Sequence, residues 1–142
     1  MPEKLSDLIS VYSLIGFVIS LLLVFRTNTG YDRWWEGRKQ WGMLVNNSRN
    51  LAVKLASLID SKENKVYFSR MISNFVFAIK EHLRDGVAFE KLNLTKEELI
   101  ILGSKKHVPS GIVSLLYDKV NELKTAGEIS QEEFITLDTN LN

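Results

Sequence analysis

The sequence contains no cysteine, only two prolines and eight glycines in 142 residues, and no internal repeat or low-complexity run. Without cysteine there can be no disulfide bond, thiol nucleophile or zinc site with cysteine ligands. An excess of charge of one sign is also missing, because the formal net charge is +1. Composition therefore gives no reason to expect a nucleic acid partner, and it predicts a structure with few breaks.

Signatures of catalysis are also absent. The sequence has no nucleophile elbow, phosphate-binding loop or dinucleotide-binding fingerprint. His82 and His107 are far apart in sequence, and neither belongs to a spaced set of carboxylates. Each is interpreted as a surface or core-edge residue rather than a metal ligand. We expect no catalytic residue, no metal and no cofactor.

Charged residues are missing from one long stretch, which runs from Leu8 to Phe25. As a helix it would be about 27 Å long, close to the ~30 Å hydrocarbon core of a bilayer, so it predicts a membrane-spanning helix. A signal peptide is disfavoured because Glu3 and Asp7 precede the stretch and no small-residue cleavage site follows it. A buried core helix is the other alternative.

Basic residues concentrate on the C-terminal side of this stretch. They are Arg26, Arg33, Arg38 and Lys39. By the positive-inside rule, that side is expected to face the cytoplasm. No proline interrupts the helical pattern before residue 60, so the helix should leave the membrane and continue. Gly30, Gly37 and Gly42 are the expected places for bends.

Start and stop signals predict further helices in the rest of the chain. Asp60 is the predicted N-cap of the next helix, with Glu63 at its third position. Thr95–Glu98 and Ser130–Glu133 each have the spacing of a capping box. The predicted helices run from Asp60 to near Gly86, from Thr95 to near Gly103, from Pro109 to Gly127, and from Ser130 onward. The pattern has no stop signal at Leu141 and Asn142, which predicts a chain truncated at its C-terminus.

The segment FRTNTGYDRWWEGRKQWGMLVNNSRN, from Phe25 to Asn50, combines tryptophan, tyrosine, arginine and asparagine on one predicted helix. A membrane-interface belt explains this composition, with aromatic rings at headgroup depth and arginines reaching phosphate. Alternatively, Asp32 and Glu36 pair with Arg33, Arg38 or neighbouring subunits, so that the helix packs inside an assembly. Nucleic-acid binding is disfavoured by the adjoining membrane helix.

Phe17, Leu21 and Phe25 recur every four residues in the apolar stretch and share one helix face. Ser13, Gly16 and Ser20 are small residues beside them that suit close helix packing. On an isolated helix this aromatic and leucine face would contact lipid. If several copies surround an axis, the same face becomes a hydrophobic constriction that gates ions by dewetting.

The stretch LLLVFRTNTGYDRWWEGRKQWGMLVNNSRNLA, from Leu21 to Ala52, resembles the bestrophin family in its bacterial and plant-type branch. HVPSGIVSLLY (His107 to Tyr117) and LDTNLN (Leu137 to Asn142) resemble later family segments, in the same order. The resemblance implies an all-α fold in which one transmembrane helix continues into a cytoplasmic helical bundle, as part of a pentameric channel in the bacterial plasma membrane. Residues 1–25 would be the pore-lining membrane helix, and residues 26–142 a truncated cytoplasmic domain.

The resemblance also implies roles for individual residues. Phe17, Leu21 and Phe25 become the hydrophobic neck of the pore, and Ile112 a second, cytoplasmic constriction. The residues expected at the membrane interface or in assembly are Arg26, Asn28, Tyr31, Asp32, Arg33, Trp34, Trp35, Glu36, Arg38 and Trp41. The acidic cluster that binds calcium in animal members has no counterpart in this chain.

The function expected from the sequence is passive transport of chloride or other small anions, with membrane lipid and further copies of the chain as partners. Cation preference within the same family is one alternative. A non-conducting, membrane-anchored interaction module is another, and a soluble helical bundle is a third.

Overall fold

The structure is a computed structural model that describes the backbone of residues 2–141 and the side chains of residues 7–137. Its helices are α1 (Pro2–Leu58), α2 (Lys62–His82), α3 (Lys96–Gly103), α4 (Val108–Thr125) and α5 (Gln131–Leu141), with a 3₁₀ turn at Phe89–Lys91. No strand occurs in residues 2–141. The all-α prediction is confirmed. The predicted truncation concerns Leu141 and Asn142 at the C-terminus, whose side chains lie outside the described residues.

The described chain divides into two compact units, residues 1–43 and residues 44–142. We call them unit 1 and unit 2. This division follows contacts between residues, whereas the predicted boundary after residue 25 follows the expected membrane surface. The membrane boundary therefore stays a prediction.

Helix α1 contains 57 residues and continues through Gly30, Gly37 and Gly42 without a break. The last turns of α1 belong to unit 2, where Leu51 and Leu55 are buried in the core. The sequence prediction that the helix extends well beyond the apolar stretch is confirmed by the helix bounds.

Helix α2 begins one residue later than predicted. Its N-cap is Ser61 rather than Asp60: Ser61 has extended backbone angles, and its hydroxyl accepts a hydrogen bond from the Asn64 amide at 3.4 Å. At the other end the helix stops at His82, and Gly86 lies in the following turn with φ +97°. The Gly86 amide donates to the Glu81 carbonyl at 3.0 Å, which closes the turn.

The other predicted caps are present. Thr95 and Glu98 make both bonds of a capping box at the start of α3. Ser130 and Glu133 make the same reciprocal pair before α5, with bonds of 2.8 and 3.2 Å. Helix α4 ends before Gly127, which adopts φ +78° where an L side chain would be strained.

The core of unit 2 lies mainly between α2 and α4. Phe68 and Met71 from α2 meet Leu116 and Val120 from α4 in one cluster of buried apolar side chains. Each fully buried side chain of this size contributes about 1.5–3 kcal/mol relative to exposure. Gly111 lies where α4 approaches α3: a Cβ at this position would lie 2.7 Å from Cδ2 of Leu102, so a larger residue would have to displace that side chain.

Candidate functional site

The apolar stretch of α1 is the one helix in the described chain that is long and apolar enough to cross a membrane. Its large hydrophobic side chains between Leu8 and Phe25 are each 43–69% exposed. Soluble monomers rarely expose a contiguous apolar surface beyond a few hundred Å². A surface of this kind therefore has to be covered by lipid, by other protein, or by both.

Two serines inside this stretch make hydrogen bonds within the helix itself. The Ser13 hydroxyl donates to the Ile9 carbonyl, and the Ser20 hydroxyl donates to the Gly16 carbonyl, both at 2.8 Å. A hydroxyl bonded in this way costs little in an apolar environment, where an unpaired one is expensive. Ser13 and Ser20 are thus compatible with a membrane-embedded position.

Phe17, Leu21 and Phe25 lie on one face of α1, as their spacing predicts. They are 65%, 43% and 59% exposed, so each is free to contact a further molecule. Because residues four apart in a continuous α-helix are separated by about 40° around the axis, the three side chains form a narrow stripe along it. We call this stripe the neck face.

The residues predicted for the membrane interface or for assembly all lie on α1 after the apolar stretch and are all exposed. They are Arg26, Asn28, Tyr31, Asp32, Arg33, Trp34, Trp35, Glu36, Arg38 and Trp41. Some of these residues line a shallow hollow of about 650 Å³ on α1. Its lining consists of Arg33, Trp34, Gly37, Arg38, Trp41 and Gly42. The hollow combines two guanidinium groups with two indole rings on one helix.

Contacts within this segment differ in part from those considered from the sequence. The Arg38 guanidinium lies 5.7 Å from the centre of the Trp34 ring, a cation–π distance. Glu36 pairs with Lys39 at 2.8 Å and accepts from Gln40 at 2.8 Å, not with Arg33 or Arg38 of the same chain. Asp32 has no ion pair with any described residue. Its pairing with a neighbouring subunit stays a prediction.

Ile112 is completely buried in the core of unit 2. A residue that forms a constriction has to present its side chain to a pore. In the single chain the Ile112 side chain packs in this core, and a cytoplasmic constriction at this residue stays a prediction.

A polar centre in unit 2 was not predicted. Arg70 on α2 makes a bidentate ion pair with Glu98 on α3, with Nη1–Oε2 at 2.6 Å and Nη2–Oε1 at 2.7 Å. The Arg70 hydrogen bonds hold the pKa of Glu98 below its ordinary value, and the same pair raises the pKa of Arg70. The only sequence signal was Glu98 at the third position of the capping box, which does not reveal its partner.

The same centre fixes the loop before α3. Asn74 donates to the Asn93 carbonyl at 2.7 Å and accepts from the Asn93 amide at 2.9 Å, and Arg70 Nη1 also donates to that carbonyl at 2.8 Å. These bonds tie α2, the loop and α3 together. In the part of the chain with described side chains, no buried polar side-chain atom lacks a partner.

The two histidines, separated in sequence, lie together in the structure. The ring centroids of His82 and His107 are 4.4 Å apart in an edge-to-face arrangement. His107 is the N-cap of α4, where its Nδ1 accepts from the Ser110 amide at 3.2 Å. No group of three or more metal-ligating side chains occurs in the described residues. The pair thus connects the end of α2 to the start of α4 by packing.

Comparison with known families matches nearly the whole chain. Residues 4–142 match the family described as bacterial/fungal bestrophin protein. A helix with an exposed apolar stretch, joined to a helical bundle with its own core, is the architecture described above. The chain belongs to the bestrophin family.

Curated relatives agree with this assignment. The chain is 49% identical over 91 residues to a voltage-dependent anion channel-forming protein from Nostoc sp., which covers 60% of this chain and 28% of the relative. It is 31% identical over 136 residues to one from Mesorhizobium japonicum, covering 94% and 43% of the two chains. A chloroplastic voltage-dependent chloride channel of Arabidopsis thaliana is 30% identical over 120 residues, covering 80% and 29%. The chain thus spans less than half the length of these relatives.

Two solved structures share the fold. Both are crystal structures of variants of a bacterial bestrophin homolog from Klebsiella pneumoniae, with TM-scores of 0.87 and 0.82 and sequence identities of 23% and 24%. The matches cover 93% and 91% of this chain and 50% and 49% of the solved chains. At this identity the likeness establishes the fold.

Proposed function

We propose that this chain is a subunit, or a part of one, of a membrane channel that conducts chloride or other small anions passively. The observation that carries the proposal is the apolar stretch of α1, which exposes every large side chain from Leu8 to Phe25 in a family whose relatives are named as anion channels. Membrane lipid and further copies of the chain are the partners that would cover such a surface.

The neck face is the proposed ion pathway. One helix cannot enclose a pore, so several copies, five by family resemblance, would have to place Phe17, Leu21 and Phe25 around a common axis. Apolar rings can pass a large, weakly hydrated anion, because it loses water more readily than a small cation and meets the positive edges of aromatic rings. In this arrangement residues 1–25 line the membrane pore and residues 26–142 lie in the cytoplasm.

The test is ionic current through the protein reconstituted in lipid bilayers under a chloride gradient. We expect a current that reverses near the chloride equilibrium potential. Substitution Phe25→Ala should widen the neck and raise the single-channel conductance by about twofold or more. The matched control is Leu23→Ala, which removes a side chain of similar exposure from a different face of the same helix turn and should leave the conductance close to that of the wild type.

Two results would contradict the proposal. Extraction of the chain from membranes by high salt without detergent would place it outside the bilayer. An unchanged conductance in Phe25→Ala would remove Phe25 from the pathway. Membrane insertion without current would instead favour a membrane-anchored interaction module, in which the neck face contacts lipid.

A further inference from the structure

The neck face continues beyond Phe25 toward the proposed cytoplasmic side. Helix α1 is unbroken from Pro2 to Leu58, so the position of each residue around the axis follows from about 100° per residue. Relative to Leu21, Asn28 lies at about −20° and Asp32 at about +20°. Both positions fall within the sector that Phe17 and Phe25 define, about 40° to either side of Leu21.

Asp32 is the first charged residue on this face after the apolar stretch. Along the helix axis it lies about 16 Å beyond Leu21 and about 10 Å beyond Phe25, at about 1.5 Å per residue. Its side chain is exposed and makes no ion pair with a described residue. The neck face is thus apolar for several turns and then presents a carboxylate that has no ion pair within the described chain.

The basic residues near Asp32 lie on other faces of α1. Arg26 and Arg33 are about 140° and 120° from Leu21 around the axis, and Arg38 is about 100° away on the opposite side. Lys39 does return to the neck face, but it is bound to Glu36 at 2.8 Å. It also lies about 10 Å beyond Asp32, which is about one Debye length at 0.1 M salt.

We propose that Asp32 sets the charge selectivity of the channel, by forming a ring of carboxylates at the cytoplasmic end of the neck that attracts cations and opposes anions. This inference rests on the proposed function, because it requires Phe17, Leu21 and Phe25 to face a common axis. Charges that line a narrow passage with low-dielectric walls change the local ion concentration by about tenfold or more. Asp32 thus limits the anion preference that the apolar neck alone would give.

The experiment measures reversal potentials in a potassium chloride gradient. Substitution Asp32→Asn removes the charge and keeps the size and exposure of the side chain. We expect the chloride-to-potassium permeability ratio to rise by roughly tenfold. Asp32→Glu keeps the charge and should stay close to the wild type. Asp60→Asn makes the same chemical change at an exposed carboxylate of unit 2 and serves as the matched control.

The absence of cysteine in the chain allows a second measurement on the same position. A cationic thiosulfonate reagent on Asp32→Cys should raise the permeability ratio further, because it replaces a negative ring with a positive one. An anionic reagent should return the ratio toward the wild-type value. Opposite changes in the permeability ratio with the two reagents would show an electrostatic effect, whereas a change in pore shape would shift the ratio in the same direction with both.

The outcomes distinguish the two proposals. If the wild type conducts and Phe25→Ala changes its conductance, but Asp32→Asn has the same permeability ratio as Asp60→Asn, the selectivity role of Asp32 is wrong and the channel function stands. If the wild type gives no current, the proposed function fails and the role of Asp32 fails with it. A rise in the ratio that is specific to Asp32 supports both.

Discussion

Apolar side chains occupy opposite environments in the two units. In unit 1 the stretch from Leu8 to Phe25 is apolar around the whole helix, and its side chains are exposed. In unit 2 the apolar residues of α2, such as Phe68, Met71 and Ile72, lie on one side of the helix and fill a core. The two kinds of helix differ in how their apolar residues are distributed around the axis. A helix that is apolar on all sides needs an apolar environment, whereas a helix with one apolar side needs another helix to pack against that side.

Substitutions in the two units should therefore have different consequences. In unit 2, loss of an apolar side chain leaves a cavity and should lower the free energy of unfolding. In unit 1, loss of one removes surface that no described residue covers, and its effects should be seen in membrane association or ion flux.

The largest effect is expected for Ile112→Ala in the core of unit 2. Removal of a fully buried isoleucine side chain should destabilise this unit by about 3 kcal/mol. Hydrogen exchange of the α2 and α4 amides measures this loss directly. Tryptophan fluorescence would not report on unit 2, because Trp34, Trp35 and Trp41 all belong to unit 1.

Leu22→Ala is the matched control, since Leu22 lies in unit 1 with 63% of its surface exposed. It should leave the exchange of the α2 and α4 amides unchanged. If Ile112→Ala alters ion conductance and has no effect on exchange, Ile112 lines a pathway and its packing role is wrong.

A smaller effect is expected at the Arg70–Glu98 pair. Glu98→Gln leaves the Arg70 guanidinium without its ionic partner and should destabilise unit 2 by about 2 kcal/mol at pH 7. The hydrogen bonds from Arg70 lower the pKa of Glu98 below the ordinary value of 4.5. The pair therefore stabilises the fold above that pH, and its contribution is lost as the pH falls through the lowered pKa.

The pH dependence provides the control for this prediction. Unfolding of the wild type should become easier as the pH is lowered below 4.5, the ordinary pKa of a glutamate, and the difference between wild type and Glu98→Gln should shrink over the same range. A difference that stays constant with pH would show that Glu98 contributes by packing rather than by charge.

Much of unit 2 could be predicted because its signals are local. The capping boxes at Thr95 and Ser130 and the glycine stop at Gly127 depend on residues within a few positions of one another. The neck face also follows from spacing within a single helix. These features require no knowledge of how one helix packs against the next.

The features that the sequence missed or left open depend on choices that spacing does not determine. Asp60 and Ser61 are both good N-caps, and only the backbone angles select Ser61. The Arg70–Glu98 pair and the contact between His82 and His107 join residues that are distant in sequence. Glu36 had several cations within reach, and the structure pairs it with Lys39.

The smallest effect is expected at the start of α2, where the two cap candidates can be compared directly. Ser61→Ala removes the hydroxyl that accepts from the Asn64 amide and should destabilise the helix start by about 1 kcal/mol. Asp60→Ala should have almost no effect, because the Asp60 side chain makes no capping bond in the structure. Hydrogen exchange at the amides of residues 62–65 measures both variants. Equal loss of protection in both would mean that Asp60 and Ser61 share the cap, and loss in Asp60→Ala alone would restore the assignment made from the sequence.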